Sequence, residues 1–514
     1  MTRGSVEYWA EHTPDAVAII DGGLSTTWRR WNERANAMAN ALAERGITHG
    51  DIVVVRLRTR TEWMLTQSAL GKLGCRLLGL NWRLTPGEIR QMLTNTKVAA
   101  LICDDSDPAA LLPALEGQPI RVAVSLDHSA EGFVDFSTLL LAEGPARVAA
   151  GNPPLIIFTS GTTGLPKGVV MGGTPPEGAD AARRLAEYQR SVRAERPQRP
   201  GDVALITLPM HHGAGPSAVA NSVLQGNKMV VMRRFEPEEA LRLIAAHRVT
   251  YWRAVPTMYQ RIAVLPVETL AKYDVSSIRI LGVGAAPISR ELKAWVGDYF
   301  GQHLSENYGS TEAGMITGLP ATMQALKPGS SGRPYRHVEI SVRAADRRSL
   351  PAGETGEIWV KTPAVIRQYL NGEPLGEDQL DSEGFFRTGD IGRVDEEGYL
   401  YITDRAKDMI VSGGVNIYPA EIEAVIRTHP AVQDVAVIGI PDDDFGEAPK
   451  AFVELRPGQS VDPEAILAHT RTILASYKRP KAVEVTPSLP RNGMGKVLKR
   501  DLRAPYWEGR ERKV

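Results

Sequence analysis

The sequence predicts an α/β protein, with a large N-terminal domain of layered α/β subdomains followed by a small α+β C-terminal domain. Three observations lead there. Helical patterns alternate with short apolar runs over the first two-thirds of the chain, as layered α/β sheets do. The 514 residues are more than one small core needs, so two or more domains are expected. Near Asp404 the texture changes, because the charged run Thr403-Asp404-Arg405-Ala406-Lys407-Asp408 separates two β-rich stretches.

Taken in order, residues 28–44 place apolar side chains at helical spacing, 51–55 form an apolar run that reads as a strand, and 61–73 return to helical spacing. The alternation recurs as strand 229–232, helix 237–247, strand 278–283 and helix 289–300. Residues 172–200 are rich in Gly, Pro, Arg and Glu. They read as a long loop leading into a charged surface helix around 181–193, either a mobile lid or an ordinary solvated excursion. Beyond the charged run, Pro419 opens a helix with Ile422, Val425 and Ile426 on one face. Strands at 435–440 and 451–455, a helix at 463–474 and a strand at 482–485 complete a unit of about 110 residues, an ordinary domain size.

Lys plus Arg equals Asp plus Glu at 60 each, so bulk charge points to neither nucleic acid nor a membrane surface. Cys75 and Cys103 lie outside any zinc, iron-cluster or redox spacing and read as buried bystanders. The first residues lack the apolar core of a signal peptide, and no charge-free apolar stretch is long enough for a bilayer. A soluble cytoplasmic enzyme, monomer or homodimer, is expected.

The chemistry concentrates in short blocks. Leu155-Ile-Ile-Phe-Thr-Ser-Gly-Thr-Thr-Gly-Leu-Pro-Lys-Gly-Val-Val-Met171 reads strand, loop, strand. A Walker loop needs Gly-Lys-Ser/Thr opening a helix, whereas Lys167 here follows Pro166 and leads into a second apolar strand, which excludes a P-loop NTPase. The loop still suits phosphate. Gly161 and Gly164 let backbone N–H groups approach an anion, Thr159, Ser160, Thr162 and Thr163 add hydroxyls, and Lys167 adds a compact positive charge. A flexible polar turn is the plain alternative.

Further along stand Gly282-Val-Gly-Ala-Ala-Pro287, Glu306-Asn-Tyr-Gly-Ser-Thr-Glu-Ala-Gly314, Phe386-Arg-Thr-Gly-Asp390, Tyr401-Ile-Thr-Asp-Arg405 and Pro490-Arg-Asn-Gly-Met-Gly-Lys496. Alone, each has a structural reading as a tight turn, a helix cap, a surface carboxylate or a solvated lysine. Together and in this order they resemble the motifs of the adenylate-forming superfamily, which includes acyl-CoA synthetases, adenylation domains of peptide synthetases and beetle luciferases. The resemblance covers nearly the whole chain.

The resemblance implies an acid–thiol ligase, AMP-forming, that uses ATP, Mg²⁺ and coenzyme A. A carboxylate attacks the α-phosphorus of ATP, pyrophosphate leaves, and coenzyme A then takes the acyl group from AMP. By the same resemblance Thr159, Ser160, Gly161, Thr162, Thr163, Gly164 and Lys167 embrace the β- and γ-phosphates, and Glu312 with Thr159 holds Mg²⁺. Tyr308 stacks on adenine beside Ala285, Ala286 and Pro287, Asn307 reads its edge, and Gly309, Ser310 and Thr311 lead to the α-phosphate. Asp390 takes the ribose hydroxyls, a role its two carboxylate oxygens suit, with Arg405 and Ile402 beside it. Lys496 bridges carboxylate and phosphate during adenylation, so the catalytic set is Lys496, Glu312, Thr163, Lys167 and His212.

Within 405–408 the resemblance puts a hinge at Lys407, dividing 1–404 from a mobile lid domain at 409–514. Rotation there exchanges the Lys496 loop for Ser412, Gly413 and Gly414, which line the pantetheine tunnel. Three features favour coenzyme A as acceptor over a peptide-synthetase or luciferase role. The chain ends soon after Lys496 with no carrier domain, the segment 208–217 lacks the Asp of amino-acid-activating relatives, and the terminus Arg512-Lys-Val514 is not the peroxisomal tripeptide of luciferases. A non-catalytic nucleotide-binding module requires loss of key residues, and Lys167, Glu312, Asp390, Arg405 and Lys496 are all present. The acyl pocket is expected at His212, Gly213, Ala214, Ala285 and Gly309. Its small residues suggest a medium-chain, aromatic or otherwise bulky apolar acid, and His212 reads equally as gate or pocket lining.

Overall fold

A computed structural model describes residues 3–149, 151–160, 166–171, 177–286, 288–412, 415–442, 444–492 and 495–508. Two large sheets dominate it. A seven-stranded sheet runs in the order Val134–Asp135, Val122–Ser125, Val98–Cys103, Ile52–Arg56, Arg76–Gly79, Leu155–Ser160, Pro166–Met171, parallel except for the last strand. In a nine-stranded sheet the strands Leu304–Ser310, Ile280–Val283, Tyr251–Ala254, Val203–Ile206 and Lys228–Val231 lie parallel side by side.

The helices Trp28–Glu44 and Thr61–Leu73 have the bounds their spacing predicts, and they lie between the two sheets. Their buried faces, with Trp28, Trp31, Met38 and Trp63, share one core with Val53 and Val55 of one sheet and Ile19, Met229 and Tyr251 of the other. Burial of each such side chain contributes about 1.5–3 kcal/mol. Helices Pro237–His247, Pro256–Ala263 and Arg290–Phe300 cover the outer face of the larger sheet, which makes the layering αβαβα with the outer face of the smaller sheet under Pro86–Leu93. Cys75 and Cys103 are free and buried, and burial pushes both thiols up to about 12.

An antiparallel sheet of Glu339–Arg343, Gly356–Lys361, Phe386–Val394 and Leu400–Arg405 leads into the C-terminal unit. There Val432–Asp442 and Gly446–Leu455 form a long hairpin, flanked by Ile410–Ser412 and Ala482–Thr486 and covered by helices Pro419–Arg427 and Pro463–Ile473. The hairpin strands run several residues beyond the expected 435–440 and 451–455, because continuous antiparallel pairing carries them past the apolar run into polar ends. The charged helix expected around 181–193 spans Gly178–Glu195, and one side of it is not solvated, since Tyr188 is buried. Among the described residues no helix is long and apolar enough to cross a membrane.

Candidate active site

Strands Leu155–Ser160 and Pro166–Met171 form an antiparallel hairpin, with Thr159 opposite Lys167. Of the expected phosphate loop, Gly161, Thr162, Thr163 and Gly164 lie outside the described residues, as does the side chain of Ser160. Thr159 Oγ1 donates to Glu312 Oε1 at 2.9 Å, so hairpin and Glu312 turn meet. A segment whose role the sequence did not reveal ties them further. The Thr362 hydroxyl donates to Ala313 O at 2.6 Å, Ile366 N–H to Glu312 O at 2.9 Å, and Leu370 N–H to Gly168 O at 2.7 Å. The Lys167 ammonium lies 4.9 Å from the centroid of the adjacent Tyr369 ring. Burial, with the Glu312 charge, pushes the Tyr369 hydroxyl up to about 12.

Strand Leu304–Ser310 carries residues expected at the nucleoside. Tyr308 donates its hydroxyl to Asp390 Oδ2 at 2.5 Å, and Arg405 Nε reaches Asp390 Oδ1 at 2.6 Å. Asp390 and Arg405 are opposite one another on neighbouring strands, so register alone brings the pair together, with Ile402 half-buried nearby on the same strand as Arg405. Burial, then Asp390, raises the Tyr308 hydroxyl well above its usual range. Ser310 Oγ accepts from Ala313 N–H at 3.0 Å, which shapes the turn through Thr311, while Gly309 packs against the Gly314 carbonyl too closely for any side chain. Ala285 adopts a left-handed φ of 68°, Ala286 follows it in the same bend, and Pro287 lies outside the described residues.

Asn307 is held apart from Tyr308. Side chains alternate along a strand, so its carboxamide points to the opposite face from Tyr308, and its Oδ1 accepts from Arg196 Nη1 at 3.1 Å. Because a guanidinium only donates, the oxygen must face Arg196. Glu306, two residues before Tyr308 and bonded to Lys293, shares Tyr308's face of the strand instead.

Lys496 comes from the far C-terminus. Burial, then Arg405, pushes its ammonium down to about 8 while Asp390 pulls the other way, so it shares a site with the Asp390–Arg405 pair. Its N–H donates to Asn492 Oδ1 at 3.0 Å, and a side chain at Gly495 would strike Thr257, so the loop is seated on the N-terminal part. Lys407 occupies a 3₁₀ turn, Ala406–Asp408, amid buried charge: Asp404 accepts from Ala420 N–H at 2.9 Å, Lys499 pairs with Glu423 at 2.8 Å, and Arg503 with Asp408 at 2.9 Å. Ser412 ends a strand of the C-terminal sheet opposite Val415, and Gly413 and Gly414 lie outside the described residues.

His212 sits 4.6 Å from the His211 ring, at the start of helix Ala214–Gln225. Burial lowers His212 to about 4 and His211 well below its usual value, so both imidazoles are neutral at physiological pH. Gly213, the helix N-cap, approaches Met171 of the phosphate hairpin, and Ala214 packs with Leu208 and Val255.

Helix Gly178–Glu195 is a strut against this site. Tyr188 donates its hydroxyl to Met315 O at 2.8 Å and accepts from Met315 N–H at 2.7 Å, Glu187 meets His337 at 2.7 Å, and Glu195 bonds the Tyr335 hydroxyl. Residues 187, 188, 191 and 195 recur at helical spacing, a signal that the flanking charges obscure.

The family described as AMP-binding enzyme matches residues 6–370, and its C-terminal domain matches residues 421–496. The chain is 33% identical over 501 residues to a feruloyl-CoA synthase from Amycolatopsis sp., covering 97% of each. It is 32% identical over 521 residues to the fatty acid–[acyl-carrier-protein] ligase ScoC of Streptomyces coeruleorubidus, covering 99% of this chain and 97% of that one. The solved structure of o-succinylbenzoate CoA synthetase (MenE) from Bacillus subtilis, in complex with the acyl-adenylate intermediate OSB-AMP, superposes with a TM-score of 0.81 at 29% identity over 98% of both chains. The chain belongs to the AMP-binding enzyme family, the adenylate-forming enzymes its motifs resemble.

Proposed function

We propose that the chain is an ATP-dependent carboxylic acid–CoA ligase: it condenses an acid with ATP to an acyl-adenylate, releases pyrophosphate, then passes the acyl group to coenzyme A and releases AMP. The observation that carries this reading is Lys496, brought from the C-terminal end into the cleft of Asp390 and Arg405.

In the first step a carboxylate oxygen bonds to the α-phosphorus and the bond to the bridging β-phosphate oxygen breaks, so charge builds on transferring and leaving oxygens. Cations fixed beforehand serve that change best. Lys496 sits where carboxylate and α-phosphate oxygens meet. Lys167 awaits the terminal phosphates, Tyr308 offers a ring face to adenine, and Asp390 accepts from the ribose hydroxyls with Arg405 orienting it. The Thr159 hydroxyl and the Glu312 carboxylate, already 2.9 Å apart, are hard oxygen donors that fit Mg²⁺, which takes few protein ligands beside phosphates and water. When bound, Mg²⁺ neutralises phosphate charge.

In the second step the thiol attacks the acyl carbonyl and AMP leaves with the bonding pair. The hinge at Lys407, between 1–404 and 409–514, turns the Lys496 loop away and brings in the Ser412 segment. ATP and coenzyme A as co-substrates support a cytoplasmic place for the reaction.

The test separates the half-reactions. Lys496→Ala should slow acyl-adenylate formation about 10²- to 10³-fold yet spare thioester formation from a supplied adenylate. Equal loss in both sinks the assignment. Because a similar enzyme, ScoC, ligates to acyl-carrier protein, the second half-reaction is run with coenzyme A and with phosphopantetheinylated carrier protein. Thioester on carrier protein alone would reassign the acceptor.

A further inference from the structure

Beneath the loop that carries Ala285, polar side chains crowd the apolar layer between the two large sheets. Tyr251 and Ile280 point into the central core while Trp252, Leu281 and Leu304 point to the outer one, so Arg253, Gly282, Gly284 and Asn307 all face inward. Parallel pairing sets Arg253 beside Gly282. A Cβ on Gly282 would lie 2.9 Å from Arg253 Cγ and 3.1 Å from Arg196 Nη1, so the missing side chain makes room for two guanidinium groups. Glu195 and Tyr335 close the group.

This cluster is incomplete. Asn307 is 4% exposed, and its buried Nδ2 has the Tyr335 hydroxyl nearby but no well-formed hydrogen bond, while Glu195 Oε1 has no partner. Among the described residues Arg253 makes no hydrogen bond or ion pair. Burial, then Arg196, brings Arg253 down to about 10, and the residue keeps only partial exposure to solvent. A side chain enclosed deeply enough to be desolvated and still reachable by water faces a cleft. Two guanidinium groups stand against one carboxylate, and burial pushes that carboxyl, Glu195, toward its neutral form. Two enclosed cations that share one carboxylate are under-compensated, which is costly, and a further anion relieves it.

The cluster is joined through the chain to the elements of the candidate site. Asn307 precedes Tyr308, and Arg253 lies four residues before Thr257, on which the Lys496 loop is seated. An acid whose carboxylate is held at Lys496 would have to place its tail toward Arg253 for the two to meet. We propose that the acid is a dicarboxylic acid, its second carboxylate paired with the Arg253 guanidinium and bonded by Asn307 Nδ2–H. The inference rests on the adenylate-forming reading. It differs from the medium-chain, aromatic or otherwise bulky apolar acid expected from the small pocket residues, and the test below separates the two.

Non-hydrolysable acyl-sulfamoyl adenosines test it, titrated calorimetrically into the full chain. They are used as matched pairs, ω-carboxyacyl against the methyl-ended acyl of equal length from four to eight carbons, and carboxybenzoyl against toluoyl. In the best pair the carboxylate-bearing analogue should bind about tenfold tighter or more, the gain of a charge-assisted pair. Arg253→Met and Arg253→Gln should erase or invert that ratio, and Arg253→Lys should keep part of it. Neutral analogues binding equally or tighter in every pair, or a ratio that Arg253→Met leaves unchanged, overturns the proposal. The wild-type ratio decides without any variant, so a variant that fails to fold does not blunt the test. Failure of every analogue and of adenosine 5′-sulfamate itself sinks the adenylate reading, a result distinct from a flat ratio among analogues that bind.

Discussion

At Lys496 the charge of one ammonium is tuned by what surrounds it. With its value near 8, the free enzyme carries the charge below that pH and loses it above. Adenylate formation in single turnover should therefore fall as pH rises beyond about 8, the midpoint moving upward when anionic ATP is bound. Lys496→Arg stays charged throughout, so its slower reaction should show no such limb; a retained limb would assign the titration elsewhere. Tyr369 makes a second case. Lys167 rests on its ring, and an aromatic face attracts a cation by about 0.5–2 kcal/mol without neutralising it. Tyr369→Leu should raise the KM for MgATP about threefold to tenfold, whereas Tyr369→Phe keeps the face and should stay near wild type. That Lys496, Asp390, Arg405 and Tyr308 would share one site was legible in the sequence through the motifs that carry them, and they do lie together. Tyr369, a lone aromatic in an unpatterned loop, had no such signature. Asn307 lies on the opposite face of its strand from Tyr308, a detail the motif alone does not reveal, because a one-residue step along a strand exchanges faces.

Helix Gly178–Glu195 shows what periodicity hides at the scale of an element. Its Arg- and Glu-rich composition reads as a solvated surface, yet Tyr188 is buried and both of its hydroxyl bonds go to the Met315 backbone. Tyr188→Phe leaves a buried N–H and C=O without partners, a loss of about 1–3 kcal/mol. Denaturant unfolding should register that loss, and the KM for MgATP should rise because the turn bearing Glu312 is no longer braced; an unchanged KM would make the tyrosine purely structural. The helices Trp28–Glu44 and Thr61–Leu73, by contrast, were legible to the residue, since apolar spacing there coincides with core contact. Glu195 and Arg196, at the far end of the strut, were not, because an acid–base pair closing a charged helix looks the same whether it faces solvent or a cleft.

Across the whole molecule, the change near Asp404 anticipated the separate C-terminal sheet, whereas the buried charges around Lys407 come from three segments no local pattern connects. Proline at 407 fixes φ and restricts Ala406, so Lys407→Pro should block rotation. It should still form acyl-adenylate, detectable as pyrophosphate in a single turnover, while steady-state thioester synthesis drops below a few per cent. Normal thioester synthesis would place the pivot elsewhere. The strut helix has one further consequence. The same rod that braces the Glu312 turn through Tyr188 delivers Glu195 and Arg196 to the Arg253 cluster, so under the proposed roles nucleotide grip and choice of acid are mechanically one part. A lineage that reshapes the end of this helix to accept a new acid inherits an altered hold on ATP with it, and directed evolution toward new acids should meet that trade-off first in helix Gly178–Glu195.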